Sequence, residues 1–246
     1  MNTFPRLASV AAFAAATLLS GAACAQQARG VNPADIDSRV DVILKRVNLD
    51  PEGTTDVLTL KFDYKVSSNW GFNFELPAYT RLSVPGFKAS GNGDFFSRAR
   101  FIRPTASGMI YGAAFEAVAP LASDDALGTG RWQANVGVLA VKPWTASFLT
   151  AFALKQYTSL GGDADRAEFS NTELRLVPVL MLPDGWALSG DLRQTWEHRS
   201  GLSWQRYEAT LNKQFTLQWA GALGYTLDCG DRPDRGSVAL TVKYFF

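Results

Sequence analysis

The chain has one histidine, His198, which lies two residues before a serine, Ser200. A serine becomes a nucleophile when a histidine takes its proton and an acid orients that histidine. Glu208 is the acid that follows in the sequence. Side chains alternate between the two faces of a strand, so Glu208 shares a face with Arg206, and His198 shares the other face with Trp196. The base and the acid are therefore predicted on opposite faces, and we expect no enzyme.

Other chemistry is limited by residue types. With 2 Cys and one His, neither a thiolate zinc cluster nor a multi-histidine metal site is available. The glycine-rich stretch 91–94 lacks the lysine of a phosphate-binding loop. The acidic residues at 124–125, 163 and 165 could bind divalent cations, but solvated loop charge is the simpler interpretation. We expect no cofactor. The formal net charge of +1 gives no electrostatic reason to expect nucleic acid.

The first residues predict a secretory signal peptide. Arg6 precedes the apolar run 7–23, and Ala23 and Ala25 form a small-residue cleavage site. We assign residues 1–25 to this signal, with cleavage after Ala25. A lipid-modified N-terminus at Cys24 is the alternative, although the leucine usual three positions upstream is absent. Residues 26–38 then form a short periplasmic N-terminal segment, and 39–246 form the remaining domain.

From residue 39 onward the hydrophobic period is two. In 55–66, Leu58, Leu60 and Phe62 share one face, while Lys61 and Asp63 share the other. No later stretch shows a convincing helical period. We count about twelve strands, most of about ten residues or longer, a length that crosses an outer membrane when tilted. Alternation alone is also compatible with a soluble β-sandwich that buries its apolar faces.

The connections between strands favour a membrane barrel, because short and long ones alternate. Short turns are predicted at 104–108, 142–145, 182–185 and 213–216, and longer polar loops at 81–93, 120–130, 159–168 and 229–236. Outer-membrane barrels have short periplasmic turns and long extracellular loops. An even number of strands places both termini on the periplasmic side.

Aromatic residues cluster at the predicted strand ends, as in the two girdles of a membrane barrel. Those at the short turns are Trp70, Trp144, Trp186 and Phe215, and those near the long loops are Trp132, Tyr157, Phe169, Trp196 and Trp204.

The last strand ends on an aromatic residue, with alternating apolar residues on the same face. They are Val238, Leu240, Val242, Tyr244 and Phe246. Such an ending resembles the signal that the barrel-assembly machinery of Gram-negative bacteria reads. We therefore predict an all-β fold, a closed transmembrane antiparallel barrel of about 12 strands. The predicted location is the outer membrane, reached through the periplasm, with outer-membrane lipid, lipopolysaccharide and the assembly machinery as partners.

The polar face of such a barrel must line the lumen. By strand phase it carries Lys61, Asp63, Lys65, Glu75, Arg98, Arg100, Glu116, Lys155, Glu173, Arg175, Asp191, Arg193, Arg206 and Glu208. Enclosed charges must pair or stay hydrated, so these residues either cross-link into a solid plug or line a narrow wet path. Other plug material is scarce, since 26–38 offers only about a dozen residues. The loop 81–93 could fold inward, but a surface position is the default.

Three stretches resemble one family of outer-membrane proteins, named for the phenol-degradation meta-pathway and often labelled transporters. They are GNGDFFSRARF (91–101), VAPLASDDALGTGRWQANVGVLAVKPW (118–144) and LPDGWALSGDLRQTWE (182–197). An Arg-Pro-Asp sequence at 232–234 in the last loop agrees, whereas the segment after Trp204 has less glycine than is usual. The resemblance implies a barrel that moves small hydrophobic or aromatic molecules across the outer membrane, and it brings no catalytic residues.

The sequence therefore predicts a passive outer-membrane channel for a small solute whose identity is open. A plugged structural or adhesive barrel is one alternative. The other is an outer-membrane lipid hydrolase, because His198, Ser200 and Glu208 superficially resemble the arrangement in lipid A deacylase barrels. That family has an Asn after its Ser, and here the residue is Gly201.

Overall fold

The computed structural model describes residues 28–231 and 234–246. The predicted signal peptide 1–25, with its cleavage site at Ala23 and Ala25 and the alternative at Cys24, lies outside the described residues. Within the described part, no helix has the length and hydropathy to cross a membrane.

Thirteen strands make up most of the described chain. They are β1 (Arg39–Leu49), β2 (Gly53–Lys65), β3 (Trp70–Val84), β4 (Phe87–Gly91), β5 (Phe95–Pro104), β6 (Ile110–Ala119), β7 (Arg131–Pro143), β8 (Phe148–Gly162), β9 (Ser170–Met181), β10 (Trp186–Glu197), β11 (Ser203–Gln214), β12 (Trp219–Gly230) and β13 (Asp234–Phe245). Two single 3₁₀ turns, Asp125–Leu127 and Pro183–Gly185, lie in connections.

Twelve of these strands form a closed antiparallel barrel. Each pairs with its sequence neighbours, except that β3 pairs with β5 past the short strand β4. The first strand pairs with both β2 and β13, which closes the sheet. The predicted twelve-stranded barrel is therefore confirmed.

The barrel is polar inside and apolar outside. Leu211, Leu223 and Leu240 lie side by side on three adjacent strands and are 41%, 54% and 50% exposed. Asp41 and Asp63, which point inward, are only 3% and 4% exposed. A soluble sandwich would have buried the leucines instead, so this distribution excludes that alternative.

The connections define the two ends of the barrel. At one end, called the turn end, every connection is short: 66–69, 105–109, 144–147, 182–185 and 215–218. The other end, called the loop end, carries the longest connection, 120–130. The last loop is shorter than the predicted 229–236, because β12 continues to Gly230 and β13 begins at Asp234.

The predicted loop 81–93 mostly forms an extension of the wall. Strand β3 runs on to Val84, reverses at Pro85 and Gly86, and pairs Val84 with Phe87 of β4. Gly86 has a φ of +77°, a conformation that glycine adopts without a steric penalty. Since Ser83 is still paired with Thr54 of β2, this hairpin lengthens the barrel at the loop end and does not fold inward.

Most of the predicted girdle aromatics lie on the outer face. Trp70, Trp144, Trp186 and Phe215 are exposed at the turn end, and Trp132 and Trp196 are exposed towards the loop end. Phe169 is half-buried in a connection. Two predictions are wrong: Tyr157 shares the inward face of Lys155, and Trp204 shares that of Arg206, because both lie on the opposite strand phase.

The N-terminal segment, residues 28–38, lies inside the turn end of the barrel. Residues 26–38 were predicted to be a short periplasmic N-terminal segment that offers little material for a plug. The described part of this segment instead lies within the lumen. Ala28, Ala34 and Ile36 are buried. Apolar side chains on the segment find inward-facing apolar partners there, and their burial offsets the cost of ordering the segment.

The outer face offers a test of the surrounding medium. Replacing Leu223 by Arg in protein refolded into lipid vesicles should lower the free energy of unfolding by about 2–4 kcal/mol, because a charge near mid-bilayer loses its hydration. Equilibrium unfolding in denaturant measures this. Cys229→Arg, on the same face near the loop end, should cost only about 0–1 kcal/mol. Equal costs at both positions would contradict a lipid-facing surface.

Candidate functional site in the barrel interior

Charged side chains form a belt around the inside of the barrel. The first group is centred on Asp63 of β2, whose carboxylate lies 2.7 Å from the Arg39 guanidinium and 3.9 Å from that of Arg100. Arg39 also contacts Asp41 at 3.1 Å. Lys61 approaches Asp63 at 4.0 Å. Three strands, β1, β2 and β5, are linked in this way.

The second group places two cations on one carboxylate. Glu116 of β6 accepts from Arg98 Nε at 2.7 Å and from Lys155 Nζ at 2.8 Å. Asn135 donates to its other oxygen at 3.3 Å. The side chain of Glu116 is almost completely buried. Because two cations share this one carboxylate, the group carries a local excess of positive charge.

The third group runs across β9, β10 and β11. Arg175 Nε donates to Asp191 at 3.2 Å, and Arg193 donates to the same carboxylate at 2.7 Å. Glu173 lies 3.9 Å from Arg175, and Glu208 lies 3.8 Å from Arg193. Here three carboxylates surround two guanidinium groups.

A fourth group joins β11 to β12 and β13. Arg206 Nε donates to Asp228 at 2.6 Å, and a terminal nitrogen of Arg206 lies 3.4 Å from Asp234. The belt therefore extends round to the strand that closes the barrel. Charges in a low-dielectric interior are tolerated when they pair in this way.

Lys65 is the predicted lumen residue that does not join the belt. Its side chain is exposed, because β2 ends at this position at the rim of the turn end. The other residues predicted by strand phase are in ion pairs within the barrel.

Sequence reasoning missed several interior charges. The structure adds Arg39, Asp41, Lys45, Asp228 and Lys243 on the inward face. The alternation of Arg39 and Asp41 with Val40 and Val42 in β1 is a signal that could have identified the first two. Tyr157 also belongs to the interior, where its hydroxyl donates to Glu173 at 3.0 Å.

Polar contacts hold the start of the N-terminal segment to one side of the barrel. The backbone N–H of Arg29 donates to Gln214 Oε1 at 3.1 Å, and its guanidinium donates to the Leu217 carbonyl at 3.0 Å. The guanidinium carbon also lies 4.4 Å from the centre of the Phe245 ring. This side chain therefore anchors the segment to β11 and β13.

The rest of the N-terminal segment packs against the other side. Ala34 and Ile36 belong to an apolar cluster with Ile102, Val141 and Val179, which point inward from β5, β7 and β9. On β5, Arg100 donates to the Asp35 carbonyl at 2.8 Å. Because its contacts reach both sides, the segment crosses the lumen at the turn end.

A cavity of about 160 Å³ lies between the N-terminal segment and the charged belt. Pro33 of the segment is part of its lining. The wall contributes apolar residues and charged ones, which are Arg98, Arg100, Ile102, Ala113, Ala114, Glu116, Gly137, Val138, Leu139, Ala153, Lys155, Arg175 and Val177. Small residues on the inward face at 114 and 137 leave this space unfilled.

The residues of the hydrolase alternative do not come together. His198 Nε2 lies 2.7 Å from the Thr172 hydroxyl, on the outward phase of β9. Glu208 points into the lumen, where it accepts from Thr210 at 3.1 Å. Ser200 Oγ accepts from the backbone N–H of Leu202 at 3.4 Å.

The acidic loop residues have local structural roles. Asp124 accepts from the backbone N–H of Ala126 at 2.9 Å, and Asp163 accepts from that of Asp165 at 3.0 Å. Across residues 28–231 and 234–246, no group of three or more potential metal ligands is present.

The carboxyl group of Asp35 makes the N-terminal segment sensitive to pH. Its pKa is raised from a usual 3.8 to about 6, mainly because the carboxyl is buried and also because the Asp37 carboxylate lies nearby. The guanidinium groups of Arg39 and Arg100 and a hydrogen bond from Asn32 act in the opposite direction. Docking therefore favours the neutral form of Asp35.

Three solved structures share this fold. The COG4313 outer membrane channel from Pseudomonas putida F1 has a TM-score of 0.73 and 16% identity, covering 90% of this chain and 100% of that one. The KdgM porin has a TM-score of 0.59 and 10% identity, covering 84% and 99%. The CymD monoaromatic hydrocarbon channel has a TM-score of 0.50 and 9% identity, covering 92% and 94%. At these identities the likeness establishes the fold alone.

In sequence, no protein-family model matches the chain, and no characterised protein matches it significantly.

The pKa of Asp35 predicts that docking of the N-terminal segment weakens as pH rises. Between about pH 4 and 6 the docked carboxyl holds a proton that the undocked one has lost, so docking is stronger at pH 5 than at pH 7. Hydrogen-exchange protection factors for residues 31–36 measure this. Asp35→Asn keeps an acceptor for Asn32 and should remove the difference. Equal protection of the unaltered chain at both pH values would contradict the prediction.

Proposed function

We propose that the chain is an outer-membrane channel through which small apolar or aromatic molecules pass passively, and that it belongs to the phenol meta-pathway family that it resembles. The observation that carries this proposal is the cavity inside the closed barrel, which is lined by the apolar residues Ile102, Leu139 and Val177 and by charged ones. An interior built only for rigidity has no need of such a space. Three proteins that share the fold, an outer membrane channel, a porin and a monoaromatic hydrocarbon channel, support the same function.

The proposal assigns the turn end to the periplasm and the loop end to the cell exterior. The outer face then contacts outer-membrane lipid and lipopolysaccharide. The face of β13 that carries Val238 and Phe246 is presented to the barrel-assembly machinery after export through the periplasm.

In this function the N-terminal segment is the barrier at the periplasmic end. Solute enters the cavity from the loop end and leaves when the segment moves aside. The segment is held by a limited set of contacts, since Arg29 and Arg100 make polar ones and Ile36 is central to the apolar ones. Elements with few buried contacts open at a low free-energy cost.

The same segment favours one other candidate function, a plugged structural barrel. If the segment never moves, the ion-pair belt and the apolar cluster serve only to stiffen the wall. Transport measurements distinguish the two functions.

Replacing Ile36 by Asp should open the barrel. The new carboxylate would be unpaired among Ile102, Val141 and Val179, so the segment should undock. In swelling assays on liposomes that contain the refolded chain, we expect slow entry of a small neutral sugar with the unaltered protein and severalfold faster entry with Ile36→Asp.

Ile36→Val is the matched control, because it keeps an apolar side chain and should leave the rate unchanged. A heat-dependent shift in electrophoretic mobility shows that each variant is folded. Entry no faster than in protein-free liposomes, for both the unaltered chain and Ile36→Asp, would contradict a channel and support the plugged barrel.

A parallel experiment addresses the solute class. Cells that express the chain should take up a labelled monocyclic aromatic compound faster than cells without it. The same uptake rate in both would contradict the apolar or aromatic class, even if the sugar enters liposomes.

A further inference from the structure

The cavity above the N-terminal segment has two chemically different walls. Ile102, Leu139 and Val177 give it an apolar surface, and Arg98 and Lys155 give it a positively charged one. Sites of this kind bind ligands that have both an apolar body and a polar group. The lining of the cavity therefore indicates an amphipathic ligand, a class that the overall fold alone does not indicate.

Positive charge exceeds negative charge in the cavity lining. Four cations line it, and one carboxylate, Glu116, so the difference is 4 − 1 = +3. The guanidinium of Arg175 is paired with Asp191, which is outside the lining. Arg100 donates to a backbone carbonyl and lies 3.9 Å from Asp63. Arg175 is thus largely satisfied by the protein itself, and Arg100 is held to the N-terminal segment and β2, although its buried Nε has no hydrogen-bond partner.

Arg98 and Lys155 are less completely paired, because they share Glu116 between them. Arg98 uses only its Nε for that carboxylate. Among the residues that the structure describes, the two terminal nitrogens of Arg98 have no carboxylate or carbonyl partner. The Phe96 ring lies 5.0 Å from the guanidinium carbon. A guanidinium with free terminal N–H groups is suited to bind a second carboxylate.

We infer that the cavity is a binding site for a carboxylic acid that carries a single aromatic ring. Its carboxylate accepts hydrogen bonds from the terminal nitrogens of Arg98 and pairs with Lys155, and its ring contacts Ile102, Leu139 and Val177. The inference rests on the proposed function, since it names the class of solute that the channel holds on its way through.

The size of the cavity agrees with one ring. An apolar cavity of about 150 Å³ engineered in another protein accommodates benzene, and this one measures about 160 Å³. A cation of the same shape would be repelled by the excess positive charge. A neutral hydrocarbon would leave the terminal nitrogens of Arg98 without an acceptor, and a neutral amide would offer them only one uncharged oxygen in place of a carboxylate.

Equilibrium binding to the folded full chain in detergent tests this inference. Four probes are compared by calorimetry: benzoate, its neutral analogue benzamide, the cation benzylamine, and acetate, which has the carboxylate without the ring. Benzoate should bind at least about tenfold more tightly than each of the other three. Against benzamide and benzylamine this ratio corresponds to one charge-assisted hydrogen bond, and against acetate it reflects burial of the ring.

Variants at Arg98 and at Glu116 should change the affinity for benzoate in opposite directions. Arg98→Gln leaves Lys155 paired with Glu116 and should remove the preference for benzoate over benzamide. Glu116→Gln releases both cations and should tighten benzoate binding severalfold. Lys88→Gln, at an exposed position in the β3–β4 hairpin, is the matched control and should change nothing. If Arg98→Gln fails to fold, Arg98→Lys is tested in its place. This variant keeps the charge and should retain part of the preference for benzoate.

Three results would overturn the inference. They are equal affinity for benzoate and benzamide, affinity for acetate equal to that for benzoate, and no binding of any probe to a barrel whose mobility shift shows that it is folded. These equilibrium results do not depend on flux. A barrel that admits sugar into liposomes but does not bind benzoate contradicts the site alone, and one that binds benzoate without transport contradicts the channel alone.

Discussion

Backbone hydrogen bonding is the constraint on which this structure depends. The hydrocarbon core of a membrane supplies no hydrogen-bond partners, so every strand needs a neighbour on both sides. The pairing of β1 with β13 meets that requirement by closing the sheet. Because strand side chains alternate between two faces, closure also separates two environments. Leucines, valines and aromatic residues cover the outside, and the charged residues are enclosed.

Enclosure determines how the charges are arranged. Asp63, Glu116 and Asp191 are nearly inaccessible, and each has cations from more than one strand around it. Such pairs contribute little net stability compared with apolar packing, but a single unpaired member would be costly. The belt therefore makes the strand register consequential, since a slip of one residue would send these side chains to the outer face. Uneven pairing in the second group leaves the positive charge that borders the cavity.

Inward-facing side chains do not fill the lumen of a twelve-stranded barrel at levels where those side chains are small. At the turn end the N-terminal segment occupies the space, with Ile36 in an apolar cluster and Arg29 on the opposite side. Further into the barrel, Ala114 and Gly137 leave the space open as the cavity. The N-terminal segment at the turn end, the mixed cavity and the belt thus follow from one geometry. The space inside the barrel is filled at some levels along its axis and left open at others.

The sequence by itself determined the strands, their faces, the closed barrel and most of the interior charges. These follow from a hydrophobic period of two, which is a local property of the sequence. Leu60 and Lys61 point to opposite faces of the strand wherever that strand lies in the fold. Only the tertiary structure decided which charges meet. Glu116 and Lys155 are 39 positions apart, and their contact depends on the register of two intervening strand pairings. The contact between Arg29 and Gln214, 185 positions apart, also depends on the tertiary structure. Through this contact a short N-terminal segment crosses the lumen. Periodicity specifies the face of a residue, but docking depends on the space that a closed wall leaves inside it.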